Sequence, residues 1–394
     1  MPEMTARERY QAVMHFQPGV RTLLWEFAYW NGALDRWYRE GLRRTSYSLP
    51  PGLPDGGITF AEGLICPPWG GLGFYRDWDV HNALGLDDGI LRLPVNWRPS
   101  PPYEVRVLEE DETTKLIIDA GGVTARVRKN GHSLPQYLDA PVRDRATWEQ
   151  VREERFGPDI LSRFPMDWET SASAYRNRDC PLGLSLVGFF CLPRELLGLT
   201  RQLMMYYDDP RLMHDMNHHI ANLWLAMLEE IPSKVQLDSV YIGEDMAYKN
   251  GPHISPAMFR EFMLPHYKRL TGFLKARGVD VIFVDTDGDC HLLIPLLLEG
   301  GVTGLYPMEV QAGMDVVEVR KQYPRLLIQG GLDKKAVAKG REAIEAELGK
   351  LPFMLAQGGY IPYVDHAVPA DVSWDNFRYY RQRVNECVQR FQSE

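Results

Sequence analysis

The sequence predicts an α/β protein, a single (β/α)8 TIM barrel with an inserted β-meander and long N-terminal loops. Three observations predict it. From about residue 144 helical and strand patterns alternate, which calls for parallel β-α units. Five strand-like runs end in an acid: residues 240–243 before Glu244 and Asp245, 281–284 before Asp285, 304–308 before Glu309, 326–332 before Asp333, and 360–364 before Asp365 and His366. Ligands of α/β proteins bind at that carboxyl end of the strands, where the loops converge. The alternative, a doubly wound open sheet, lacks its usual ligand motif, since no G-x-G-x-x-G follows the first strand and no Walker A sequence occurs.

The elements follow in order. Thr5 and Glu8 have the spacing of a capping box, which predicts a helix to about Phe16, ended by Pro18 and Gly19. Residues 22–27 read as the first strand. Residues 28–38 are dense in aromatics at helical spacing, either core packing at the barrel rim or an aromatic wall for a flat or cationic ligand. Residues 42–102, rich in Gly and Pro with Trp69, Trp78 and Trp97, read as a binding loop or lid. Residues 104–128 alternate in three short runs, an antiparallel meander inserted on the main fold; the insertion spans about 42–140 of one domain that covers 1–394. Helices are then expected over 146–155, 192–207, from Pro210 to about Glu230, and from Pro256 to about Lys275. Further helices are expected at 294–299, 316–322, 336–348 and 374–391, with strands between. Counting residues 22–27 and one strand in the insertion region gives seven or eight parallel strands.

Composition limits the function. A chain of 394 residues, 45% hydrophobic and 25% charged, can bury a large core. The net charge of -9 argues against nucleic acid or an anionic membrane as partner. No apolar run approaches the roughly 20 residues of a membrane helix, and a cytoplasmic location is expected. The five cysteines are scattered without a C-x-x-C pair, which fits reduced thiols. His214 and His218 have the spacing of two metal ligands on a helix, but a helix outside the barrel makes them surface histidines. Ser185 and Ser255 lie in no G-x-S-x-G context, so nucleophilic triad chemistry is unsupported.

Several motifs then point to a family. Gly243-Glu244-Asp245-Met246, Ile254-Ser255-Pro256 with Phe259, Phe262 and Pro265, the polar turn 285–289, Gly330-Gly331-Leu332-Asp333, and Gly359-Tyr360-Ile361 with His366, Val368 and Pro369 resemble the uroporphyrinogen decarboxylase superfamily. That superfamily consists of (β/α)8 barrels and includes the decarboxylases and cobalamin- or folate-linked methyltransferases. The decarboxylases carry an Arg-rich loop after the first strand; the matching place here reads Glu26-Phe27-Ala28-Tyr29-Trp30-Asn31, with no arginine until Arg36. Acids and aromatics at that mouth would repel a substrate with many carboxylates. The methyltransferases hold zinc with His-x-Cys and a last Cys, and the matching positions are Asp285, Asp287 and His366.

The resemblance therefore implies an enzyme, a methyltransferase with a corrinoid or tetrahydrofolate as methyl carrier, with uroporphyrinogen-type decarboxylation as the alternative. A non-catalytic ligand-binding relative is a third reading. Asp285, Asp287 and His366 are the expected ligands of zinc or another divalent metal. Without a metal the same groups form a general acid-base set, with Glu244 and Glu309 beside them. Trp25, Glu26, Tyr29, Trp30, Asp245 and Asp333 are expected to bind substrate, such as a methylated ammonium compound. Asp333 and Asp289 are also helix or turn caps in form. A small-molecule substrate, a corrinoid partner protein and a homodimer complete the expectations.

Overall fold

The computed structural model describes residues 4–45, 58–60, 78–129, 135–231 and 233–391. Residues 46–57 and 61–77 of the expected lid, Trp69 among them, lie outside the described residues.

Seven parallel strands form one curled sheet. In spatial order they are Tyr360–Ile361, Leu327–Gln329, Gly304–Tyr306, Ile282–Asp285, Ser239–Gly243, Leu182–Val187 and Leu91–Arg92. The expected first strand, 22–27, is not a regular strand, yet it closes the sheet. Its Thr22 hydroxyl donates to the Tyr360 carbonyl, while the Asp87 N–H donates to Leu24 O at 3.0 Å on the other side. Further on, Val368 N–H donates to Ala28 O at 2.9 Å. A regular ladder is missing because these bonds are made singly, to side chains and loops, rather than to a second strand. The formal strand lies later, at Ala28–Trp30, antiparallel to Ile58–Phe60. The barrel class is thus what the sequence predicts.

The meander has four antiparallel strands, Arg106–Glu110, Thr114–Ile118, Thr124–Arg128 and Gln136–Asp139, one more than the sequence suggested. The helix Ala6–Met14 carries the predicted capping box, with Glu8 N–H donating to the Thr5 hydroxyl at 3.2 Å. Three expected helices are each two. Residues 192–207 divide into Cys191–Leu197 and Leu199–Asp208 at Gly198, and 336–348 into Lys334–Lys339 and Arg341–Leu348 at Gly340, whose φ of 104° no helix accommodates. The third, from Pro256, breaks at Met263 into Pro256–Phe262 and Leu264–Lys275, where Pro265 has no N–H to continue the ladder.

Alternation along the strands divides the core in two. Outward residues such as Leu184, Val240, Ile242, Ile282, Val284 and Ile328 pack under the helices. Inward residues, among them Trp25, Ile90, Tyr241, Phe283, Leu327 and Ile361, fill the barrel. The first helix plugs the amino-terminal end: Tyr10 stacks on Trp25 with ring centroids 5.6 Å apart, and its hydroxyl is 3.2 Å from that of Tyr241.

Candidate functional site

At the opposite, carboxyl end of the barrel the polar groups gather. The interior row Gly243, Asp285 and Tyr306 is in register across three strands. After Asp285 the chain turns, and Asp287 meets His366 from the last strand loop, with Nε2 3.6 Å from Oδ2. The turn is held by Glu309, whose Oε2 accepts the Gly288 N–H at 3.1 Å. Burial pushes the Asp287 carboxyl up to about 6; His366 and Lys334 oppose this, and Asp245 and Glu309 add to it. One Asp287 oxygen, Oδ1, is buried without a hydrogen-bond partner. The His366 ring leans on Phe27, centroids 5.5 Å apart, which in turn packs against Tyr306 and Tyr363.

Lys334 and Asp365 brace this pair. Lys334 Nζ is 3.2 Å from Asp365 Oδ1 and 3.7 Å from Glu309 Oε1. Asp365 is fully buried and its other oxygen accepts the Val310 N–H at 2.9 Å. Lys334 thereby links Asp365, next to His366 in the chain, with Glu309, which holds the turn that carries Asp287.

Among the expected ligands, Asp287 and His366 come together, while Asp285 stands in the strand row preceding the turn. Among the described residues no group of three or more His, Cys, Asp or Glu side chains is gathered to hold a metal ion. Among the described residues Asp287 and His366 stand as a pair, 3.6 Å apart, rather than as two members of a three-donor cradle.

Several expected site residues lie elsewhere. Glu244 is fully buried, and its carboxylate accepts the N–H groups of Phe189, Phe190 and Cys191 at 2.8–3.0 Å and the Tyr267 hydroxyl. It caps a neighbouring helix instead of lining the mouth, and its carboxyl carbon lies 2.1 Å from where a Cβ on Gly188 would be, so only glycine fits there. Trp25 is at the plugged end of the barrel. Glu26 faces outward, buried against Arg381 at 2.7 Å. Tyr29 is buried among Trp37 and Phe377, the core-packing alternative for the aromatic stretch. Trp30 packs partly buried against the barrel interior. Asp245 is exposed at the rim, in a left-handed backbone conformation (φ 48°), and pairs with Arg194 at 2.8 Å. Asp333 caps the helix Lys334–Lys339 by accepting the Lys335 N–H at 2.8 Å, and Asp289 Oδ1 accepts the His291 N–H, as their form suggested.

Arg92 and Lys334 escaped the sequence reading, and Ser185 was weighed there only as a nucleophile. Arg92 shares the inward face of Ile90, and its guanidinium carbon lies 3.8 Å from the centroid of the Tyr241 ring. Ser185 is the one exposed position in the buried strand Leu182–Val187, on the face opposite Leu184 and Leu186. Lys334 lies just before the expected helix 336–348 and was not singled out. The small residues Gly183 and Ser185, alternating with leucines, were the available signal that this strand has a hollow side.

No described helix is long and apolar enough to cross a membrane. Comparison with known proteins agrees with the fold. The chain aligns at 30% identity over 260 residues with a uroporphyrinogen decarboxylase of Xanthomonas axonopodis pv. citri (strain 306), covering 59% of this chain and 67% of the relative. A uroporphyrinogen decarboxylase of Nocardia farcinica (strain IFM 10152) is 27% identical over 43% of this chain and 48% of its own length. A solved methyltransferase from Methanosarcina mazei superposes over 97% of this chain and all of its own, with a TM-score of 0.57 at 14% identity, a likeness of fold. The family model for uroporphyrinogen decarboxylase (URO-D) matches residues 117–387, more than half of the sequence, and the chain belongs to that family.

Proposed function

We propose that this enzyme is a decarboxylase of a small carboxylic acid, in which the Asp287–His366 pair supplies the proton that replaces carbon dioxide. The observation that carries this is the 3.6 Å approach of the two side chains at the barrel mouth. In the reaction the bond from carbon to carboxylate breaks, its electron pair stays on carbon, and a proton from the pair forms the new C–H bond. A partly buried carboxyl whose pKa is raised to about 6 is a proton donor near neutral pH, as general acid catalysis requires. The curated relatives are named for decarboxylation. Uroporphyrinogen itself, with many carboxylates, fits poorly beside Asp245, Asp287, Asp289 and Glu309. The test is carbon dioxide release from a panel of small aromatic and heterocyclic acids and from uroporphyrinogen. Turnover of a small acid, reduced about 100-fold or more in Asp287→Asn and His366→Gln, supports the proposal. Turnover of uroporphyrinogen, or full activity in both variants, overturns it.

One observation favours a second reading, methyl transfer through a corrinoid or tetrahydrofolate carrier. The partnerless buried Oδ1 of Asp287 is an oxygen that a divalent cation such as zinc would satisfy. Elemental analysis of the purified protein and of an Asp285→Ala/His366→Ala variant separates the two. About one metal per chain, lost in the variant, favours methyl transfer.

A further inference from the structure

We propose that His218 and His266, on two helices packed together outside the barrel, form a binding site for a divalent metal ion of the zinc class. This goes beyond the decarboxylase proposal and does not depend on it.

The two helices are Pro210–Glu230 and Leu264–Lys275. His214 and His218 have the spacing to share a metal on the first of them, but His214 is turned elsewhere. Its Nε2 lies 3.5 Å from Glu261 Oε1, and its ring leans on Phe262 with centroids 4.5 Å apart. The partner of His218 comes instead from the second helix. His218 is exposed and His266 is buried, and their ring centroids are 6.3 Å apart at an interplanar angle of 66°. An ion held by two imidazoles at about 2.0–2.1 Å from each nitrogen sets the ring centres roughly 6 Å apart or less. A small rotation of the exposed His218 side chain therefore suffices to bring both rings onto one ion.

Unsatisfied polar atoms mark the same seam. The break at Met263 directs the His266 N–H to Met263 O at 3.0 Å, and Phe262 O, its acceptor in a continuous helix, takes the Asn217 amide Nδ2 at 3.1 Å instead. Asn217, the residue before His218, thus reaches the turn just before His266. It is fully buried and its Oδ1 has no hydrogen-bond partner; neither has the buried Nδ1 of His266. Buried polar atoms are otherwise paired, so two orphans in one seam point to a further group that belongs there. Burial, with Arg269, His218 and His214, lowers the His266 pKa to about 4, so at pH 7 its imidazole is neutral and keeps the lone pair a metal needs. Imidazole suits zinc, nickel or copper better than it suits magnesium or calcium. Arg269 donates to Asn222 Oδ1 at 2.7 Å, one turn along from His218, and its charge weakens the hold on a cation. Among the described residues no third His, Cys, Asp or Glu is gathered beside the pair, so the ion keeps water in its other positions and exchanges, unlike one in a closed structural site.

Zinc chloride titrated by calorimetry into the full chain, freed of metal by a chelator, tests this. The background is Asp285→Ala/His366→Ala, so that the barrel mouth contributes no signal. About one zinc per chain is expected to bind in the micromolar range, weakened more than about 10-fold in His218→Ala and in His266→Phe and unchanged in His214→Ala. Zinc is also expected to raise the midpoint of thermal unfolding, by a shift that His218→Ala abolishes and magnesium chloride does not reproduce. His218 is exposed, so its variant keeps the test open should His266→Phe fail to fold. No zinc bound, affinity unchanged in a folded His218→Ala variant, loss of binding in His214→Ala, or an equal shift with magnesium overturns the site. None of these outcomes touches the decarboxylase proposal.

Discussion

Glu244 illustrates what a single residue does in this barrel. Its motif marks the family, yet its carboxylate is spent on three backbone N–H groups and a phenol, all buried. Replacing it by alanine leaves those donors without an acceptor in a dry place, at about 1–3 kcal/mol for each uncompensated group. Glu244→Ala is therefore expected to lower the denaturation midpoint by an amount corresponding to roughly 3–5 kcal/mol, measured by urea unfolding. A variant as stable as the wild type would contradict the capping role. At this scale the sequence was partly legible. An acid after a strand is visible; whether it turns up to the mouth or sideways to the next helix depends on Gly188, 56 positions earlier, which makes room for it. The same holds for Arg92 and Lys334, whose partners Tyr241 and Asp365 come from distant strands. Asp287 and His366 could be paired in advance because two strand ends of a barrel converge.

Among the elements, the helix pair Pro256–Phe262 and Leu264–Lys275 places His266 against Phe189 and His218. Its start at Ser255 and Pro256 was legible from capping chemistry. The break was not, though Pro265 was present, because proline is also tolerated in the first turn of a new helix. His266 is 8% exposed, and burial lowers its pKa to about 4, helped by Arg269, His218 and His214. The sign of the linkage is therefore that of a histidine kept neutral. Above pH about 6.5 neither folded nor unfolded chain binds the proton; as pH falls to about 4 the unfolded chain takes it up and the fold does not, so stability declines across that window. At pH 5 the loss is on the order of 2 kcal/mol. In His266→Phe the difference in unfolding free energy between pH 7.5 and pH 5 is expected to shrink by about that amount. An unchanged difference would place the acid sensitivity in other groups.

For the whole molecule the decisive feature is how the barrel closes. Seven strands form a regular sheet, and the remaining gap is spanned by the irregular segment 22–28, which the last helix, Trp374–Arg390, holds from outside. Arg381 of that helix donates to the Glu26 carboxylate at 2.7 Å, to Trp25 O at 3.1 Å and to Asn385 at 2.9 Å, and both Glu26 and Arg381 are fully buried. An ion pair in such a place is weak evidence of stability as a whole, because desolvation offsets the attraction; removing one partner is another matter, since the other charge remains in a dry interior. Arg381→Met is therefore expected to destabilise the protein by about 3–5 kcal/mol, whereas Glu26→Leu/Arg381→Met, which removes both charges and keeps the volume apolar, recovers most of that loss. Urea unfolding of the wild type, the single variant and the double variant measures the coupling directly. Should the double variant be no more stable than the single one, the bonds from Arg381 to backbone carbonyls, rather than its charge, would be what fastens the last helix across the gap.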